Sequence, residues 1–294
     1  MAKWTRRGAL GAVSAIGGMG VGLGLGCGPS GRSESQRSSR ADPRAVAEPV
    51  PVAMIRGRYA AQWTNEGDGA TVRRIFPGPH IRHLDPFVLL DDFDVRHPAG
   101  FPMHPHRGFE AFTYMLEGAF FHRDNLGYES RIETGGTQRF TSGSGAWHSE
   151  MPASAGRNRG LQLWVNLPRR LKKMPPDYEG IDAKNMPSSA DGGVQVREVV
   201  GPRSPVILQT EVGYRVCSFP TKGAYEFVIP PGHAGLVYVL EGEVSVHGEV
   251  CKEGDVTIPS PGRLPVEAQA GTRLALVHGL PHGEKILHRG PYVD

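Results

Sequence analysis

The apolar positions of this chain fall in short runs, each broken by glycine, proline or acidic residues. Val52 to Glu66 and Ala70 to Phe76 both read as strand-like, and Gly67-Asp68-Gly69 between them supplies the residues of a tight turn. Asp85-Pro-Phe-Val-Leu-Leu-Asp-Asp-Phe93 is an apolar strand bounded by proline and acids. Thr113-Tyr-Met-Leu-Glu-Gly118 returns almost unchanged as Val237-Tyr-Val-Leu-Glu-Gly242, so the chain carries an internal duplication. The pattern predicts an all-β protein with two barrels of similar architecture in tandem.

Composition strengthens this picture. The 40 glycines and 25 prolines are spread over all 294 residues, which favours many strands joined by tight turns over helices. The formal net charge is +3, but Lys3, Arg6 and Arg7 lie in a leading segment without acids, and 3 − 3 leaves the rest near zero. No basic stripe remains that would displace counterions from phosphates, which argues against a nucleic-acid partner.

That leading segment has its own pattern. Two adjacent arginines precede an uncharged run from Ala9 to Gly26, the layout of a secretory signal, and Thr5-Arg6-Arg7-Gly8 resembles the twin-arginine (Tat) type. Glycines dilute the run and lower its drive into hydrocarbon, so a permanent membrane span is the weaker reading. Cys27, followed by Gly-Pro-Ser-Gly and a polar tract, looks like a bacterial lipoprotein junction; plain cleavage nearby and an uncleaved low-complexity tail are the alternatives. Residues 1–27 are thus read as a signal peptide with a possible lipid anchor at Cys27, and 28–50 as a disordered linker. The expected location is the periplasm or the envelope membrane. Cys217 and Cys251 remain, and two buried free thiols are expected rather than a disulfide.

The candidate chemistry lies in two short pieces. His104 and His106 stand two apart, so on a strand they project to one face about 6.5 to 7 Å apart along its axis and can converge on one ion. Pro105 between them removes a ladder donor and suits an edge strand. His148 and Glu150 repeat the spacing, after the turn glycines Gly143 and Gly145. Three imidazoles and a carboxylate form the ligand inventory of a mononuclear divalent metal site with open positions.

Neighbouring titratable residues carry blander readings. Glu110 is taken as structural, Arg107 as a rim residue of the pocket, and His122-Arg-Asp124 as a turn. Trp147 is expected in the core, because it points away from His148. A gapless alignment on Gly118 and Gly242 sets Val228 and Pro230 opposite His104 and His106. Allowing a shorter loop, Pro265 and Glu267 fall opposite His148 and Glu150, so the second half should lack the site. His278 and His282 are read as loop residues because Gly279 and Pro281 lie between them.

These motifs together carry a family resemblance. Asp85-Pro-Phe-Val-Leu-Leu-Asp-Asp-Phe93, His104-Pro-His-Arg-Gly-Phe-Glu110, His148-Ser-Glu-Met-Pro152 and Leu161-Gln-Leu-Trp-Val-Asn-Leu-Pro168 resemble, in order, the signatures of the pirin family of bicupins. The resemblance implies two cupin (jelly-roll-like β-barrel) domains, the N-terminal one over 51–185 and a C-terminal one without ligands over 186–294. It implies a single iron held by His104, His106, His148 and Glu150. It also implies one of two functions: a quercetin 2,3-dioxygenase-type oxygenase acting with dioxygen on flavonol or catechol-like small molecules, or a non-enzymatic, metal-dependent redox-sensing partner protein. Fe(II) is the expected cofactor, with manganese, nickel, copper and zinc as alternatives. Glu150 is the candidate catalytic base, and the chain is expected to act as a monomer.

Overall fold

The computed structural model describes residues 49–294. The residues read as a signal segment, with Cys27 and nearly all of the expected linker, lie outside the described residues. The first part of the described chain forms strands β1 (Ile55–Ala60), β2 (Gln62–Glu66), β3 (Ala70–Phe76), β4 (Phe87–Val95), β5 (Phe101–His106) and β6 (Phe109–Glu117). It continues through β7 (Ala119–Asp124), β8 (Glu129–Glu133), β9 (Thr137–Thr141), β10 (Ala146–Pro152), β11 (Asn158–Asn166) and β12 (Asp177–Ile181). The second part forms β13 (Ser188–Asp191), β14 (Val194–Val200), β15 (Val212–Phe219), β16 (Gly223–Ile229), β17 (Ala234–Glu241) and β18 (Glu243–Val246). Then follow β19 (Glu249–Lys252), β20 (Asp255–Pro259), β21 (Gly262–Ala268), β22 (Thr272–Gly279), and a closing hairpin of β23 (His288–Arg289) and β24 (Tyr292–Val293).

Each half is a large sheet facing a small one. In the first half β12-β9-β6-β11-β4-β3-β2 faces β5-β10-β7-β8; in the second, β1-β20-β17-β22-β15-β14-β13 faces β16-β21-β18-β19. All the strand pairings are antiparallel, and the two halves correspond strand for strand. This is a pair of jelly-roll barrels of the cupin type.

The large sheets pack back to back, which explains why their central strands are buried almost without a break. On β6 and β11, Phe112, Tyr114, Leu116, Leu161, Leu163 and Val165 face the other barrel, where they meet Tyr214, Leu236, Tyr238 and Val277 in one buried cluster. The alternate residues Ala111, Met115 and Trp164 face the interior of their own barrel. A strand buried on both faces loses the apolar–polar alternation of a half-exposed one. Each such side chain contributes about 1.5–3 kcal/mol on burial.

A polar bridge crosses this interface. The Arg159 guanidinium donates to both oxygens of Asp92, at 2.9 and 2.8 Å, to the Leu240 carbonyl at 2.9 Å and to Glu241 at 3.0 Å. The Tyr238 hydroxyl donates to Asp92 at 2.8 Å. Both charged side chains are buried, so neither can be given up to water alone.

The two barrels follow one another along the chain, and the chain ends are exchanged between them. β1 precedes the whole first barrel yet pairs with β20 at the edge of the second sheet. The C-terminal hairpin returns to the first barrel, where Val293 enters the core and its backbone N–H donates to the Arg107 carbonyl at 2.9 Å. Each end covers a backbone edge that would otherwise stand open.

The repeat is real, but its inward register is one residue off the gapless alignment. On β16 and β21 the buried positions are Phe227, Ile229, Leu264 and Val266, whereas Val228, Pro265 and Glu267 are exposed. The connection before β17 runs over Pro230 to His233, while Arg107 and Gly108 alone join β5 to β6, and a one-residue slip turns a strand over. The positions that matter are therefore apolar. His278 also departs from its loop reading: it sits on β22 between Gly213 and Gly235, and a Cβ at Gly213 would lie 2.1 Å from its ring. Cys217 and Cys251 are buried free thiols in the apolar interior of the second barrel.

Arg159→Ala is expected to lower stability by about 3–5 kcal/mol, because it strands the buried Asp92 carboxylate. Chemical denaturation would measure this, and an unchanged midpoint would show that the bridge is dispensable.

Candidate metal centre

β5 is an edge strand, which is why it tolerates Pro102 and Pro105. Its neighbour β10 sets His148 directly across from His104, while Glu150 pairs with Phe101 after a register shift, so β5 carries one extra residue there. The strand alternation turns His104, His106, His148 and Glu150 into the barrel. Three imidazoles converge: one donor atom of each of His104, His106 and His148 lies within 4.8 Å of the others. Ring centroids are 4.5 to 4.9 Å apart.

The hydrogen bonds around these rings decide what the cluster can hold. His104 Nδ1 lies 2.7 Å from the Pro102 carbonyl, and His106 Nδ1 lies 3.4 Å from that of Pro291. A carbonyl only accepts, so both Nδ1 atoms carry the proton and both Nε2 atoms present lone pairs. Those two Nε2 atoms stand 3.0 Å apart. Burial favours the neutral rings: it lowers the pKa of His104, takes His106 to about 3, helped by the neighbouring His104, and takes His148 well below the usual value. His148 is fully buried and neither of its ring nitrogens has a hydrogen-bond partner. Facing lone pairs and orphaned buried nitrogens are both relieved by one cation, and imidazole suits a divalent transition metal. The residues fit the group.

Glu150 lines the same space but is not among the donor atoms that converge. It reaches across the barrel, where Oε1 accepts from Thr113 at 3.1 Å and from the Gln138 amide, and Oε2 accepts from the Gln162 amide at 3.1 Å. Burial outweighs these donors and lifts its pKa to about 7. Thr113 has one proton for two acceptors, since its hydroxyl also meets Gln162 Oε1. A proton on Glu150 resolves the conflict: the acid donates to Thr113, and Thr113 donates to Gln162.

His104 and His106 open onto a cavity of about 820 Å³ walled by Leu89, Phe93, Phe101, Phe120 and Trp164, with His288 and Pro291 of the C-terminal hairpin at its margin. Arg107 is not part of that wall. It is held outside by Asp294 at 2.9 Å and lies over the Tyr292 ring at 4.8 Å. Glu110 is buried on the opposite face of β6, accepting from Thr141 at 2.9 Å and from the Gln209 backbone at 2.8 Å.

Two expectations are corrected. Trp147 is not core; it is 47% exposed, because among the described residues nothing covers the outer face of β10 at that point. His122 and Asp124 are not a turn but lie on β7 with Phe120, all three buried, while Phe121 and Arg123 face outward. Their i, i+2 spacing is that of His104 and His106, and that signal was available in the sequence.

The fold and site together define a bicupin in which one barrel carries a three-imidazole cluster that fits a divalent metal and the other has an apolar interior. Residues 69–165 match the Pirin family and residues 215–294 the Pirin C-terminal cupin domain. The chain belongs to the pirin family. It is 39% identical to a pirin-like protein of Solanum lycopersicum over 254 residues, covering 82% of this chain and 86% of the relative. A crystal structure of quercetin 2,3-dioxygenase from Acinetobacter baumannii superposes with a TM-score of 0.77 at 29% identity, covering 83% of this chain and 92% of the other. The bacterial pirin YhhW of Escherichia coli, in complex with nickel(II), shares the fold with a TM-score of 0.63 at 21% identity, over 76% and 99% of the two chains.

His106→Ala is expected to abolish metal binding: elemental analysis should find a single ion per wild-type chain and none in the variant. A variant that keeps its ion would place the metal elsewhere.

Proposed function

We propose that this chain is a metal-dependent dioxygenase of the quercetin 2,3-dioxygenase type, acting on flavonol or catechol-like small molecules, with Fe(II) as its working ion. The observation that carries the reading is the convergence of three imidazoles in the first barrel, two of which, His104 and His106, line a roomy, aromatic-walled cavity. The likeness to the A. baumannii quercetin 2,3-dioxygenase, above a quarter identity over most of both chains, supports it.

His104, His106 and His148 hold the ion, and Glu150 is the fourth ligand that the family pattern implies. The ion supplies redox chemistry that lets dioxygen react with a closed-shell organic molecule, and the protein supplies the rest. Phe93 and Phe120, stacked with centroids 4.7 Å apart, and Phe101, tilted against both, form an aromatic wall against which a planar ring system can pack. The same wall excludes water from the reacting face. Glu150 takes the proton of a substrate hydroxyl, and Gln138, Gln162 and Thr113 hold its two oxygens in place on either side of that transfer.

Oxygen uptake by the anaerobically purified, iron-loaded protein with quercetin tests this reading. Wild type should consume oxygen, and Glu150→Gln should keep its metal, because three imidazoles remain, yet turn over about 10²–10⁴-fold more slowly. A wild-type protein that carries metal but consumes no oxygen with flavonols or catechols contradicts the proposal.

Export belongs to the same proposal. The adjacent Arg6 and Arg7 before an uncharged run support a twin-arginine route, with Cys27 as the site of lipid attachment. Such a route carries folded proteins, which lets iron be loaded before copper or zinc competes outside. Cell fractionation should show Arg6→Lys/Arg7→Lys retained in the cytoplasm; an unchanged location argues against export by this signal.

A further inference from the structure

Behind the three imidazoles the barrel holds a fourth that the proposed reaction does not use. In the small sheet Asp124 lies directly across from His148, and His122 across from Glu150. Both are buried, His122 completely. Asp124 is fully committed: Oδ1 accepts the backbone N–H groups of Leu126 and Tyr128 at 2.9 and 3.0 Å, and Oδ2 lies 3.0 Å from His122 Nε2. The His122 ring lies flat on Tyr178, with centroids 3.9 Å apart and planes 14° from parallel, so its plane is fixed. What remains is His122 Nδ1, buried and without a partner. The His148 ring stands 5.3 Å from it, centroid to centroid, with both of its own nitrogens unpartnered.

An orphaned polar atom in a closed interior is costly, and here such atoms occur on neighbouring rings. Coordination occupies one nitrogen of His148 and leaves the other as an N–H donor. Metal-bound histidines almost always give that second N–H to an acceptor, which fixes the ring and raises its basicity. Because Asp124 takes the proton of His122 Nε2, His122 Nδ1 is a lone pair, the acceptor that His148 lacks. We infer that Asp124 and His122 are the outer support of the ligand His148, forming a carboxylate–imidazole–imidazole chain behind the ion. The inference rests on the metal reading of the site. Both residues act through His148 and touch no substrate, so they are positioning residues.

The backbone ties of Asp124 supply a test that leaves shape almost untouched. In Asp124→Asn the side-chain oxygen must stay on the Leu126 and Tyr128 N–H groups, so the amide nitrogen faces His122. His122 Nε2 then becomes the acceptor, and its proton moves to Nδ1, where it opposes the donor on His148. His122→Phe removes both nitrogens and keeps a ring on Tyr178.

Nickel(II) affinity of the full chain, measured by competition with a chelator, should fall about 10–100-fold in both variants. The nickel absorption spectrum should shift with it, and Asp124→Asn should keep the wild-type circular dichroism. If His122→Phe fails to fold, Asp124→Asn carries the test alone. Wild-type nickel affinity and spectrum in Asp124→Asn would overturn the inference and leave the metal site standing. A wild-type protein that binds no nickel or iron would overturn the metal reading and this inference with it.

Discussion

His104 and His106 turn their Nε2 lone pairs toward each other 3.0 Å apart, with the unpartnered His148 ring beside them, an arrangement that something positive between the rings relieves, and much of the molecule answers to that constraint. The carbonyls of Pro102 and Pro291 fix the Nδ1 protons and so direct the Nε2 lone pairs inward. Burial keeps the rings from solving the problem by taking up protons. The carboxylate of Glu150, across the barrel, is held by amides and a hydroxyl in an arrangement that suits a proton as well as a charge. The apolar cavity above the rings is what makes a cation there useful.

A barrel with polar groups at its centre forfeits part of its apolar core, and the second barrel offsets the loss. Its interior is filled by residues such as Phe227, Ile229, Leu264 and Val266, where the first barrel has its ligands. The broad apolar contact between the large sheets joins the two, with Arg159 and Asp92 as its polar bridge. The exchanged ends tighten the join, since β1 adds to the second barrel and the C-terminal hairpin closes over the first. Through Pro291 that hairpin also orients His106, so it has a part in the site.

Much of this was legible in the sequence, for reasons that can be named. The His104/His106 pair and the His148/Glu150 spacing are local, and strand alternation carries local spacing directly into geometry. The edge position of β5 was readable from Pro105, and the family from four ordered motifs. What escaped was non-local or hung on parity. The placement of β1 and of the C-terminal hairpin depends on which sheet edges stand open, which no local pattern records. The slip of β16 and β21 by one residue follows from loop length, and one residue is enough to turn Val228 outward and Phe227 inward. Trp147 was misread because alternation tells which face a residue takes but not whether anything covers that face. His122 and Asp124 had the right spacing, yet coming directly after a strand they read as a turn.

A divalent ion between His104, His106 and His148 would be located by anomalous diffraction at the absorption edge of the metal in crystals of the loaded protein. A single strong peak is expected within coordination distance of all three imidazoles, about 2.0–2.2 Å from each nitrogen. A loaded crystal with no peak there, or with its peak in the second barrel, would rule out a metal centre at these histidines.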